Sequence, residues 1–124
     1  MTGRRILVVE DDRVSRELAA RVLTAGGYEV VCATDGEEAL IVAPGVSPDL
    51  VIMDLGLPGI DGIEATLVLH EDPRMARTPV VVLSALAFEE DRDRALRAGC
   101  VDYMTKPVGA RELLDRVDSI LAGR

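Results

Sequence analysis

Tryptophan is absent, and Tyr28, Phe88 and Tyr103 are the only aromatic residues in a chain of 124. So few rings leave little to stack on a flavin or a nucleobase. Cysteine is nearly absent too. Cys32 and Cys100 form no C-x-x-C unit, which excludes a disulfide scaffold and a zinc ribbon. Each adjoins an apolar stretch, where a cysteine behaves as a small hydrophobe, and a reducing cytosol is the expected compartment. The single histidine, His70, falls near the end of the third expected helix and reads as a surface residue away from any pocket.

Long hydrophobic runs are missing as well. The longest span about five residues, far below the roughly 18 that cross a bilayer, so neither a membrane span nor a signal peptide is expected. Positive charge is scarce: 14 Lys and Arg against 22 Asp and Glu give a formal charge of -8. Such a field repels nucleic acid and anionic lipid, and direct DNA binding is not expected.

What is present is one domain's worth of core. Hydrophobic residues make up 48% and charged residues 29%, and a chain this long buries about two-thirds of its unfolded surface. Residues 1–124 read as a single domain without linker, repeat or low-complexity segment. Five short apolar runs recur: Ile6-Val9, Val30-Ala33, Leu50-Met53, Val80-Leu83 and Val101-Met104. Most are rich in Val, Ile and Leu without alternation, the pattern of strands covered on both faces; the fifth, broken by Asp102, is the weakest. Segments of helical spacing separate them. Val14, Leu18, Val22 and Leu23 should line one face of the first helix, and Leu113, Leu114, Val117, Ile120 and Leu121 one face of the last. Asp35-Gly36-Glu37-Glu38 and Asp61-Gly62-Ile63-Glu64 have the D-x-x-E form of a helix start, and Gly26-Gly27 marks a stop. Alternating βα units imply an α/β fold with a parallel sheet between two layers of helices.

In such sheets ligands bind at the carboxyl ends of the strands. There the first run leads into Glu10-Asp11-Asp12, the third into Asp54, the fourth into Ser84-Ala85 and the fifth into Thr105-Lys106-Pro107. Asp12, just before the Arg13 helix, reads as a helix cap. Ser84 and Asp54 taken singly could be turn residues, and Lys106 a solvated one. Jointly, at four of five strand ends, they do not read as punctuation. Clustered carboxylates repel unless a cation neutralises them, and a hard divalent ion with oxygen ligands, above all Mg²⁺, suits both the acids and a phosphate group. An Asp can then serve as nucleophile, with a lysine and a hydroxyl to hold phosphoryl oxygens.

These residues and their order carry a resemblance to the response-regulator receiver family, over essentially the whole chain. Ile6 to Asp12 resembles the family's first strand and acidic pair. Asp49 to Gly62 resembles its acceptor strand and following loop, Pro79 to Ala85 its fourth strand, and Ala98 to Pro107 its fifth. The resemblance implies a flavodoxin-like (βα)5 domain of strand order 2-1-3-4-5, an order that receiver domains already exemplify. It implies that Asp54 accepts a phosphoryl group and that Asp11 binds Mg²⁺ directly, Glu10 helping through water and the Gly56 carbonyl adding a ligand. Lys106 would pair with the phosphoryl group, Ser84 would hydrogen-bond it, and Tyr103 would reorient as Ser84 is drawn inward. The Lys106-Pro107 bond is cis in the family.

With His70 away from the site, the resemblance implies that the phosphoryl group comes from a separate histidine kinase or histidine phosphotransfer protein, or from a small acyl phosphate. Asp102, Tyr103, Glu112 and Arg116 would lie on an output face read by a downstream protein, in a monomer or a weak phosphorylation-dependent dimer. Gly56 and Leu86 carry no polar side chain to orient a water, which predicts slow loss of the phosphoryl group. A stand-alone cytoplasmic regulator is the expectation, catalysing only its own phosphorylation and dephosphorylation. One alternative is a receiver cut from a larger regulator or hybrid histidine kinase. Another is an aspartate-nucleophile phosphatase, against which Asp54-Leu55-Gly56 offers no D-x-D pair.

Overall fold

The computed structural model describes residues 3–85 and 88–123; Leu86, named above, lies outside the described residues. Ten elements alternate along the chain: β1 (Arg5–Val9), α1 (Arg13–Ala25), β2 (Glu29–Ala33), α2 (Gly36–Val46), β3 (Leu50–Asp54), α3 (Gly62–Glu71), β4 (Val80–Ser84), α4 (Glu89–Arg97), β5 (Asp102–Thr105) and α5 (Ala110–Ala122). The strands form one parallel sheet of order β2-β1-β3-β4-β5, with Ile6 opposite Leu50, Val51 opposite Val80 and Val81 opposite Asp102.

The sheet explains the apolar runs. From Ile6 on in β1, and throughout β3 and β4, every residue is buried, because these strands lie inside the sheet with helices on both faces. Successive side chains alternate between two cores. Leu7, Val9, Val51, Met53, Val80 and Val82 belong to one, whereas Ile6, Val8, Ile52, Val81 and Leu83 join Leu113, Val117 and Leu121 of α5 in the other. The outer strands differ. Glu29 and Cys32 of edge strand β2 are exposed, so Cys32 is not the buried hydrophobe its neighbours suggest. At the other edge, β5 begins only at Asp102, leaving Val101 exposed.

Helix starts follow the acids. Asp12 Oδ2 accepts from the Ser15 amide at 2.9 Å, Asp35 Oδ1 from that of Glu38 at 2.8 Å, and Asp61 Oδ1 from those of Ile63 and Glu64 at 2.9 and 2.8 Å. Each bond satisfies an amide that the helix cannot, and such a cap contributes about 1 kcal/mol. α1 ends at Gly26, followed by Gly27 at φ 95°.

Two local expectations fail. Val14 and Leu18 do not reach the core: they are 73% and 59% exposed, and only Leu23 of the anticipated face is fully buried. The first turns of α1 follow directly from the carboxyl end of β1, where the sheet opens into a cleft, so little protein lies beneath them. His70 is half-buried instead of free on the surface, and its Nε2 donates to the Thr78 carbonyl at 2.9 Å. It therefore ties the end of α3 to the segment entering β4.

Candidate functional site

Four strand ends deliver the site. The Glu10 amide donates to the Ala33 carbonyl at 3.0 Å, extending the β1–β2 pairing by a step and fixing where that side chain leaves the sheet. Asp54 closes β3 opposite Leu83, and the next amide, Leu55, donates to the Leu83 carbonyl at 2.8 Å. Ser84 closes β4, and its carbonyl accepts from the Lys106 amide at 2.7 Å. Backbone pairing thus carries Glu10, Asp54, Ser84 and Lys106 to one edge, beside the point where strand order reverses between β1 and β3.

Carboxylate oxygens of Glu10, Asp11 and Asp54 lie within 4.8 Å of one another. Glu10 and Asp54 are buried, and Asp11 is exposed at the mouth. The Lys106 ammonium stands 2.5 Å from Glu10 Oε1 and 3.0 Å from Asp54 Oδ1. Burial pushes the Glu10 carboxyl above its usual range, against the opposing pull of its hydrogen bonds from Lys106 and from the Asp12 amide. For Lys106, burial alone would lower the pKa, but the hydrogen bonds to Glu10 and Asp54 outweigh it and raise the pKa. The ammonium therefore stays charged at neutral pH. Three carboxyl groups gathered against one ammonium are the donor set that a hard divalent cation with oxygen ligands would take.

Ser84 is buried. Gly56 lies against the same carboxylate, since a Cβ built on it would sit 3.9 Å from Asp54 Oδ2. The Lys106-Pro107 peptide bond is cis. Asp12, as expected of a cap, is spent on the Ser15 amide.

Of the expected output-face residues, two pair with each other. Arg116 Nη1 lies 2.5 Å from Asp102 Oδ2, an ion pair within one chain. Glu112 is exposed, and Tyr103 is half-buried against the core that includes Val82.

Three contributors went unread in the sequence. Arg16 Nη1 donates to the carbonyls of Glu10 and Asp11 at 3.0 and 3.3 Å, gripping the turn that carries both acids. Its position on the first turns of the helix after the acidic run was the available signal. Gly62 starts α3 so close to β3 that a Cβ would fall 2.4 Å from the Asp54 carbonyl oxygen. Glu37 of α2 accepts the Ile60 amide at 3.3 Å and would meet a Cβ at Gly59, whose φ is 78°, so it braces the loop after Asp54.

A doubly wound parallel sheet with an acid cluster, hydroxyl and lysine at its switch point defines a class of signalling domain built for phosphoryl chemistry. Comparison with known proteins makes the class specific. The family model described as "Response regulator receiver domain" matches residues 6–118, and the chain belongs to that family. The polar-differentiation response regulator DivK of Brucella anthropi is 33% identical over 116 residues, covering 94% of each chain. The CheY-like receiver domain protein of Methanospirillum hungatei superposes with a TM-score of 0.92 at 28% identity, over 98% of this chain and 96% of that one. The receiver domain of a Pseudomonas aeruginosa sensor histidine kinase, with magnesium coordinated in its active-site cleft, gives a TM-score of 0.89 at 33% identity, over 98% and 99%. The chain is thus a receiver domain of two-component signalling. Among the described residues no helix is long and apolar enough to cross a membrane.

Proposed function

We propose that Asp54 is the phospho-acceptor and that Glu10, Asp11 and the Asp54 carboxylate, with the Gly56 carbonyl, hold Mg²⁺. The observation that carries this reading is the convergence of three carboxylates within 4.8 Å, with the Lys106 ammonium 3.0 Å from one of them. When bound, the ion would offset the repulsion between the acids and the incoming phosphoryl oxygens. The donor is the phospho-histidine of a histidine kinase or phosphotransfer protein, or a small acyl phosphate.

An Asp54 oxygen attacks phosphorus, the bond to the donor nitrogen or acyl oxygen breaks, and the phosphoryl group stays on Asp54. Lys106 exchanges its contact with Asp54 Oδ1 for one with a phosphoryl oxygen, and the Ser84 hydroxyl donates to another. Such charge-assisted bonds are short and strong. Moving a two-state switch from mostly off to mostly on takes about 5 kcal/mol, which two or three of them can supply in a partly buried site. The Ser84 shift passes to Tyr103, and a downstream protein reads the face formed by α4, β5 and α5 at Asp102, Tyr103, Glu112 and Arg116. Its only catalysis is of its own modification, and it works in the cytoplasm.

Incubating the chain with acetyl phosphate, with Mg²⁺ or with a chelator, tests the reading. Incorporation of one phosphoryl group only when Mg²⁺ is present supports it; incorporation of the same extent under chelation contradicts the metal assignment.

A further inference from the structure

The cleft at Asp54 extends beyond the charged cluster. It encloses about 450 Å³ and runs from Glu10, Asp54 and Lys106 into the space between α1 and α5. Its walls are largely apolar: Ala19 and Val22 on α1 with Leu18 at the rim, Leu83 on β4, Val108 in the loop before α5, and Leu113 on α5. The volume is that of a small-molecule site, and an apolar body with a few convergent polar groups at one end is the usual make-up of such sites.

The exposed Leu18 noted above fits the same geometry. α1 overhangs the cleft without filling it, and Leu18, though 59% exposed, is one of its lining residues. Both ends of the cleft therefore ask for something. The ammonium of Lys106, and the acid cluster when it holds a metal, suit a phosphoryl head. The apolar walls suit an aliphatic tail, and beyond Glu10, Asp54 and Lys106 the only polar side chain among the described lining residues is Ser15.

We propose that this cleft binds acyl phosphates bearing an aliphatic chain, and that such donors phosphorylate the protein more efficiently than acetyl phosphate does. The proposal rests on the phospho-acceptor reading of Asp54 and names the small-molecule donor class of that site. An Asp54 oxygen attacks phosphorus; the bond from phosphorus to the acyl oxygen breaks, and its electron pair leaves with the carboxylate. No proton, oxidant or further co-reactant is required. The aliphatic chain lies between α1 and α5 and leaves with the carboxylate. Chain length changes the affinity for the donor but hardly alters the basicity of the leaving carboxylate, so a gain in rate reports binding.

The test compares acetyl phosphate with butyryl phosphate at equal, sub-saturating concentrations in Mg²⁺, following incorporation by intact mass. Full burial of a methylene is worth about fourfold, so the two extra methylenes should raise the apparent second-order rate constant by up to about fifteenfold. In Ala19→Phe, where a ring occupies the space beneath α1, the butyryl-to-acetyl ratio should fall towards one. Should that variant fail to fold, Leu18→Gln at the exposed rim should lower the same ratio. A ratio near one in the unaltered protein, with acetyl phosphate still labelling it, overturns the donor proposal and leaves the Asp54 assignment standing. Labelling by neither donor overturns both.

Discussion

Lys106 and Glu10, 96 residues apart in the chain, meet at 2.5 Å between ammonium and carboxylate at the mouth of the sheet. The contact exists because β1 and the β5–α5 loop end at the same edge. It also leaves Lys106 already bridging toward Asp54 at 3.0 Å. Lys106→Met should leave both carboxylates without their cation. We expect phosphorylated Asp54 still to form, but the conformational response to fail, read as loss of phosphorylation-dependent hydrogen-exchange change around Ser84 and Tyr103. An unaltered response in the variant would show that Lys106 is not the link.

Asp11 and Asp12 are adjacent, yet the structure gives them different work. Asp12 caps α1 through the Ser15 amide at 2.9 Å, while Asp11 joins the cluster with Glu10 and Asp54. Asp12→Ala should cost about 1 kcal/mol of stability with little loss of Mg²⁺ affinity. Asp11→Ala should weaken Mg²⁺ binding far more. Calorimetric titration suits a chain without tryptophan, and equal losses of affinity would place the metal on the wrong acid.

Glycine 62 should tolerate no side chain. A Cβ there would press to 2.4 Å from the Asp54 carbonyl oxygen and 2.9 Å from Met53 Cγ. Gly62→Ala should therefore destabilise by about 1–3 kcal/mol, although alanine is the better helix former. Gly45 in α2 has nothing within 4 Å, so Gly45→Ala should stabilise by about 0.5–1 kcal/mol. Thermal melts of both variants check the pair; loss in both would mean that local space is not what decides.

Tyr28 donates to Asp118, joining the entry to β2 with α5, and burial followed by that carboxylate pushes the phenol up to about 12 from its usual 10.0. A group with a raised folded pKa gives its full stabilisation below the unfolded value and loses it as pH rises through the folded one. The contribution of Tyr28 is thus complete below pH 10 and lost between 10 and about 12. Tyr28→Phe should be less stable by about 1 kcal/mol at neutral pH. The gap between the two proteins should close across that alkaline window; a constant gap would contradict the assignment.

Gly56 stands where a side chain would reach Asp54, its notional Cβ being 3.9 Å from Oδ2. An amide there could orient water against an aspartyl phosphate. Gly56→Asn should shorten the lifetime of the phosphorylated form, measured as decay of the added mass after the donor is removed. No change in decay would remove the absent polar side chain as the cause of a long-lived signal.

How much of this was legible depended on what each residue's neighbours are. Apolar runs located all five strands to within a residue or so, since a strand covered on both faces needs no partner information to be recognised. The acids and Lys106 were legible because strand ends in a parallel sheet share an edge. Val14 and Leu18 misled because periodicity shows that a face is apolar and says nothing of what lies beneath it. Cys32 misled for the related reason that a run does not tell an edge strand from a central one. The grip of Arg16 on the Glu10 and Asp11 carbonyls, the crowding at Gly62 and the Asp102–Arg116 pair within the chain depend on approach distances between elements, and sequence spacing does not encode those.

The central claim is that Asp54 alone receives the phosphoryl group. The most direct measurement is the intact mass of the protein and of Asp54→Asn after incubation with acetyl phosphate and Mg²⁺, followed by peptide mapping of any product. The account predicts the mass of one phosphoryl group on the unaltered chain, mapped to the peptide carrying Asp54, and none on the variant. Equal labelling of both, or labelling mapped to another acid, would contradict it.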